Sequence, residues 1–493
     1  MTAALAPARP APGRAPSVLR LSAGRLLRLE LRRNPMIWMV PLAVAMFWFD
    51  TYRSSMLMPP LWGQRSMYLE EGRPLLDFAP FVAGAAAWAA SRDGRRGTGD
   101  QVAVTALPRW AARLTAWAAT TAWALAAYAG CLGALLAVTA HQGAPGDPLW
   151  WPVAVSAAGV VAASALGFTA GALFPSRYTV PLVGILALLA LVMSQYKFTH
   201  STTYGLLSPT NEQNGVGLEA GVFYRYLPDL SITQILFLAG LAVAALGALG
   251  VFSAYGTRAL RASAVVVTAV GLAASGTAFG LAGTARTDAD GVVVPALHDP
   301  ADDRPIAFTP LCAGTPVPVC LSPVYRAYLP VIAADLDPVL AEVAGLPGAP
   351  VRVAQVPDIG GPASDTMAAV GGSPAVATLS LDWEGWYSSA QLASWVRGQT
   401  ATAIVDHLVG TTDPAQQAVA AALLQDGGVP MEQLRPGAAA PADPGQAAGP
   451  ASGTPAYAAA QRFAALPAAT RHAWLTTHLT ALRTGDLTPE QLP

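Results

Sequence analysis

Apolar runs of membrane length fill most of the first 284 residues. They fall at about 35–52, 75–91, 114–139, 150–174, 179–195, 231–255 and 262–284, each nearly free of charge. Runs of this length are hard to reconcile with soluble core helices, whereas a spanning helix satisfies its own backbone hydrogen bonds in lipid. The first run is short and carries Pro41. Ahead of the runs, residues 17–34 place Leu19, Leu26 and Leu27 on one helical face. Arg20, Arg25, Arg28, Arg32 and Arg33 supply a basic face. That pattern predicts an amphipathic helix lying at an anionic membrane surface. Residues 1–16, rich in Ala and Pro, read as a flexible tail, and no secretory signal is expected.

Beyond residue 285 the pattern changes. Short β-branched segments, "GVVV", "PIAFT", "VPVCL", "PVRVAQVP" and "AVATLSLD", predict strands. "SPVYRAYLPVIAADLDPVLAEVAG" predicts a helix broken or kinked at Pro330 and Pro338. A mostly helical stretch follows from Ser388, interrupted by a low-complexity loop at 435–455 that is expected to be disordered. A last helix is expected from about Tyr457 to Leu482. The expected fold is therefore an α-helical polytopic membrane protein of about seven transmembrane helices with a C-terminal α+β soluble domain. The division is 1–34 tail and interfacial helix, 35–284 bundle, and 285–493 outer domain.

Charge gives the bundle an orientation. Net charge is −1 overall, but residues 1–284 hold 20 basic and 11 acidic residues, and 285–493 hold 9 and 19. With the N-terminus in the cytoplasm, the inner segments 1–34, 91–113, 175–178 and 256–261 carry 15 basic and 3 acidic residues. The outer side carries 5 and 8, counting Asp50 and Asp77 at the outer helix ends. This is the positive-inside pattern. Seven spans then place the C-terminal part outside the cell. Cys312 and Cys320 flank "AGTPVPV" there, and a disulfide between them suits an oxidising compartment. Cys131, within the third run, reads as a packing residue.

Recognisable catalytic chemistry is scarce. The sole lysine is Lys197, so a phosphate-binding G-x-x-x-x-G-K-[ST] loop cannot be present, and any ATP-driven work needs an ATPase on another chain. Neither H-E-x-x-H nor G-x-S-x-G occurs. His472 and His478, six apart, point about 120° apart on a helix and are poorly placed to share a metal. "DWEGWY", with Asp382 and Glu384 among Trp383, Trp386 and Tyr387, suits either a sugar or cation site or a strand end with surface-packed rings. No cofactor, metal or nucleic-acid partner is expected. Gly167 and Gly171, and Gly276 and Gly280, form two G-x-x-x-G pairs, suited to a dimer face or to packing within the bundle.

One stretch gathers the charge. "SRDGRRGTGDQVAVTALPRWAARLTAW", residues 91–117, links the second and third runs. Arg92, Asp93, Arg95, Arg96, Gly97 and Thr98 open it, and Leu107, Pro108, Arg109 and Arg113 lead into the next span. In position and pattern it resembles the corresponding loop of ABC-2-type transporter permeases, and residues 17–34 resemble that family's interfacial N-terminal helix. The resemblance covers roughly residues 17–262. It implies a transport subunit, as a homodimer or heterodimer of permeases, that pairs with a separate cytoplasmic ATPase. The short cytoplasmic helices would dock into that ATPase and transmit its closure. Anionic lipid headgroups are a second use for the same guanidinium groups. Two features depart from the family pattern: the seventh run and the acidic C-terminal domain. An alternative reading is a membrane-anchored extracellular ligand-binding or sensor protein.

Overall fold

The computed structural model describes residues 15–51, 73–96, 109–144, 146–197, 202–210, 223–252, 258–288, 291–356, 368–381, 392, 396–431, 435–436 and 448–493. An N-terminal helix α1 (Ala15–Arg32) is followed by α2 (Met36–Thr51), α3 (Arg73–Arg96), α4 (Arg109–His141), α5 (Trp150–Leu173) and α6 (Thr179–Lys197). After the short α7 (Thr203–Leu207) come α8 (Asp229–Phe252) and α9 (Arg258–Ala282). Four of these are long and apolar enough to cross a membrane: Trp110–His141, Trp150–Leu173, Asp229–Phe252 and Arg258–Ala282. Two shorter apolar helices, Met36–Phe49 and Thr179–Ser194, lie beside them. By length and composition the chain is a membrane protein. The outward faces agree, since Leu182, Ile185, Leu186, Val266, Val270 and Leu272 are all exposed.

The bundle core forms around Met36, Phe47, Phe78, Val82, Tyr128, Leu132 and Val160. Phe47, Phe78 and Tyr128 meet edge to face, with ring centroids 6.3 and 6.0 Å apart. Small residues set the closest approaches. A Cβ added at Gly167 would lie 2.3 Å from the Ala83 carbonyl oxygen, and one at Gly171 2.3 Å from that of Ala87. The first G-x-x-x-G pair is thus the seam between α5 and α3. A Cβ at Gly276 or Gly280 would meet nothing within 4 Å, so the second pair faces open space. Identical spacing serves two situations in one chain. The α8–α9 hairpin is as tight as the α3–α5 seam. A Cβ at Gly271 would fall 2.4 Å from the Ala244 nitrogen, and one at Gly247 2.6 Å from the Thr268 nitrogen.

The C-terminal part opens with the hairpin β1 (Arg286–Asp288) and β2 (Gly291–Val293). A five-stranded sheet follows, built from β3 (Leu311–Ala313), β4 (Val319–Leu321), β5 (Val353–Gln355), β6 (Ala368–Gly371) and β7 (Val376–Leu379), in the order β3-β4-β5-β7-β6. The central pairs β4–β5 and β5–β7 are parallel and the outer two antiparallel. Helix α10 (Leu329–Val343) carries the chain from β4 to its parallel neighbour β5, and Ile332, Leu336, Leu340 and Val343 bury its inner side. Then come α11 (Thr402–Val409), preceded by a π-helical turn over Arg397–Ala401, α12 (Pro414–Asp426), α13 (Pro455–Ala464) and α14 (Ala468–Arg483). One continuous core joins sheet and helices through Tyr325, Val353, Leu379, Leu423, Phe463 and Leu475.

Several expectations need correction. "PIAFT" is not a strand. Pro330 does not break its helix but sits at the start of α10, where a missing N–H costs nothing, and Pro338 lies inside it. The expected last helix is two, separated at Pro467, which cannot continue the first. The 435–455 loop is pinned at both ends: Arg435 and Pro436 pair in parallel with Ala448 and Gly449 (β8 and β9), and α13 already begins at Pro455. The loop's interior, 437–447, lies outside the described residues, as do "DWEGWY" and the tail before Ala15.

The two parts of the chain touch where α8 begins. Phe223 joins the outer core and stacks edge to face on Phe308, with centroids 5.5 Å apart. Its carbonyl accepts the Ile306 N–H at 2.6 Å. Asp229, the first residue of α8, accepts the Val294 N–H at 3.1 Å and lies 3.2 Å from His298 Nδ1, off the line of a hydrogen bond. His298 Nε2 lies 2.9 Å from Asp303.

Candidate functional site

The site begins with α1. Its arginines Arg25, Arg28 and Arg32 are exposed, and Arg20 occupies a helical position whose side chain is not described. Glu30, the sole acid among the first 34 residues, is buried. The reason is Arg92, near the end of α3. Its two terminal nitrogens reach the two Glu30 carboxylate oxygens at 2.7 and 3.3 Å, a bidentate pair across 62 residues of chain. Two more contacts hold the end of α1 against α4. Trp123 Nε1 donates to the Leu31 carbonyl at 2.8 Å, and the buried Asn34 donates from Nδ2 to Thr120 Oγ1 at 3.0 Å. Asn34 Oδ1 meanwhile accepts the Met36 N–H at 2.9 Å and caps α2. The amphipathic helix is therefore fastened to the second and third apolar segments.

The charged stretch divides its roles. Residues 91–96 continue α3 rather than forming a loop. Arg92 turns inward to α1. Arg95 lies over the Trp88 ring, its guanidinium carbon 4.0 Å from the centroid, and donates to the Trp88 carbonyl at 3.3 Å. Arg96 is exposed. Gly94 presses on the turn between α5 and α6, where a Cβ would lie 2.6 Å from Pro175 Cβ. In that turn Arg177 covers the Tyr178 ring. The Asp93 side chain is not described, and Gly97, Thr98, Leu107 and Pro108 lie outside the described residues. The structure thus brings together the two basic segments read separately in the sequence. The connecting residues that sequence reasoning missed are Glu30, Asn34, Thr120 and Trp123. Glu30 alone left a signal, as a single acid in a basic helix.

Beneath this end lies an open groove of about 1010 Å³ between α1, α2, α3 and α6. Trp88, Arg92 and Arg96, at i, i+4 and i+8 of α3, run along it, with Glu30 and Arg33 at its charged end. A second groove, about 650 Å³, lies between α3, α5, α6 and α8 and is almost wholly apolar, with Ser194, Ser208 and Tyr204 at one end.

The outer part offers ionic clusters that read as structural. Arg471 is buried and pairs with Glu342 and Asp426 while donating to the Ala464 and Leu466 carbonyls at 2.8 and 2.9 Å. His472 bonds the Glu342 carbonyl through Nδ1, and His478 stacks on Trp474, centroids 4.7 Å apart. Among the described residues no three His, Cys, Asp or Glu side chains are grouped to hold a metal. Cys312 and Cys320, register partners on β3 and β4, form a disulfide, which suits an oxidising, extracellular setting. Compared with known proteins, the chain matches no family model, no curated protein and no solved structure.

Proposed function

We propose that the chain is the membrane-spanning permease subunit of an ABC-2-like transporter, coupling a separate cytoplasmic ATPase to export of a substrate. In this reading α2, α3, α4, α5, α6, α8 and α9 are the seven spans. The arginine-bearing end faces the cytoplasm, and residues from about 285 lie outside the cell. The observation that carries it is the fastening of α1 to α3 and α4 by Glu30–Arg92, Trp123 and Asn34. A surface helix held only by lipid could not pass a push to the bundle, whereas an ion-paired one moves with it. Arg95 and Arg96 then present basic groups beside that joint to an ATPase. The chain's single lysine puts the nucleotide chemistry on another polypeptide.

The test is co-expression with the ATPase encoded nearest to it, followed by purification on a tag carried by this chain. Arg95→Gln with Arg96→Gln is expected to weaken ATPase recovery while the chain stays folded and monodisperse. Unchanged recovery and unchanged stimulation of ATP hydrolysis would remove the coupling role. The continuous core and disulfide of the outer part favour one other reading, a membrane-anchored extracellular ligand-binding or sensor protein. That reading expects no ATPase to co-purify under any condition.

A further inference from the structure

We infer that the groove between α1, α2, α3 and α6 is a binding site for one anionic phospholipid, its phosphate at Arg33 and Arg96 and its acyl chains along Trp38 and Ile185. The argument starts from charge. Three guanidinium groups, Arg33, Arg92 and Arg96, line the groove against one carboxylate, Glu30, leaving a net charge of two positive. Arg92 is taken by Glu30. Arg33 and Arg96 are exposed and have no carboxylate within ion-pair distance among the described residues. Their charge is turned toward the groove and toward whatever fills it.

The rest of the lining has the opposite character. Trp38, Met39, Phe81 and Ile185 form its walls, and Trp38 is 81% and Ile185 55% exposed. Trp38 and Trp88 stand between the arginines and the apolar wall, the level that indole rings prefer at a membrane interface. An occupant must therefore be anionic at one end and hydrocarbon at the other. The volume, near the upper end for small-ligand sites, holds a headgroup and the first part of its chains.

A second copy of this chain fits less well. A two-fold contact sets the same patch against itself, which would bring four unpaired guanidinium groups together without a counter-charge. A phosphodiester supplies the missing negative charge and accepts from both arginines. The inference does not depend on the transporter reading, because it needs only a bilayer on the arginine-bearing side.

The test uses the full chain in lipid nanodiscs of phosphatidylcholine and phosphatidylglycerol at a fixed ratio, with bromine on the chains of one lipid or the other. The Trp38 contribution is the fluorescence difference between the wild type and Trp38→Phe. Brominated phosphatidylglycerol is expected to quench that contribution more strongly than brominated phosphatidylcholine at equal mole fraction. Each arginine removed is expected to lower the preference roughly fivefold, so Arg33→Gln with Arg96→Gln abolishes it. Arg25→Gln with Arg28→Gln, on the same helix but outside the groove, leaves it intact. Should the double groove variant fail to fold, the wild type in high salt is the second measurement, with the preference expected to fall as the charges are screened. Equal quenching by both lipids overturns the inference, as does a preference that survives both loss of the arginines and salt. Protection of Trp38 from both lipids in a dimeric chain would assign the groove to a second copy instead.

Discussion

Breaking the Glu30–Arg92 pair should cost more than an ordinary surface salt bridge and less than a buried one. The side chains are 11% and 28% exposed, and the two charge-assisted bonds span 2.7 and 3.3 Å. Exposed pairs contribute about 0–1 kcal/mol, while stranding a buried partner costs about 3–5 kcal/mol. Glu30 lies nearer the buried limit and Arg92 nearer the exposed one, so a coupling energy of about 2 kcal/mol is expected, in line with hydrogen bonds to charged groups. The measurement is a double-mutant cycle of Glu30→Gln, Arg92→Gln and the pair, each followed by equilibrium unfolding in mixed micelles with far-ultraviolet dichroism as the signal. A cycle is required because Arg92 is not held by Glu30 alone. The double variant should lose about 2 kcal/mol less than the sum of the singles, and exchanging the two residues should recover part of the loss. Single-variant losses that add to within about 0.5 kcal/mol would refute the claim that α1 is locked to α3 through this pair.

The two glycine pairs make an internal control. Gly167→Leu or Gly171→Leu drives a side chain into the α3 backbone and should abolish monodisperse expression, whereas Gly276→Leu or Gly280→Leu should purify like the wild type. Equal tolerance at both pairs would mean that α5 does not lie on α3. Replacing Cys312 and Cys320 with serine should destabilise the outer part by about 2.5 kcal/mol, from closure of its short loop, and a reductant should do the same to the wild type and nothing to the variant. Free-thiol labelling of unreduced protein at either position would count against the bridge. His298 gives a pH dependence. Its hydrogen bond to Asp303 raises its pKa above the ordinary histidine value against the lowering effect of burial, with the Asp303 and Asp229 charges adding to the rise. A raised folded-state value means that the stabilisation is complete below the unfolded value of about 6.5 and fades as pH climbs through the folded one. Denaturant midpoints of the outer part should therefore fall with rising pH across that window, and His298→Gln should flatten the trend; a midpoint that rises with pH would reverse the assignment.

What the sequence discloses and what it conceals follow from the range of the interactions. Apolar run length is a local property, and every helix from α2 to α9 except the short α7 overlaps a run read from residues alone. The strands around Val319, Val353 and Val376 were similarly legible from β-branched residues between proline and glycine breaks. "PIAFT" carries the same local signal and forms no strand, since a strand also needs a partner edge and no ladder reaches it. The charged stretch shows the limit most clearly. Composition makes Arg92, Arg95 and Arg96 equivalent, yet the fold gives one to a carboxylate 62 residues away, lays one on an indole and leaves one exposed. The two glycine pairs repeat the point, with one spacing forming a helix seam at 167 and 171 and facing outward at 276 and 280. In each case the residue type fixes what a position is able to do, and the neighbour supplied from a distant segment decides what it does. A basic loop read from sequence is therefore evidence about which side of a membrane it occupies, while its role in coupling rests on contacts such as the one Glu30 makes.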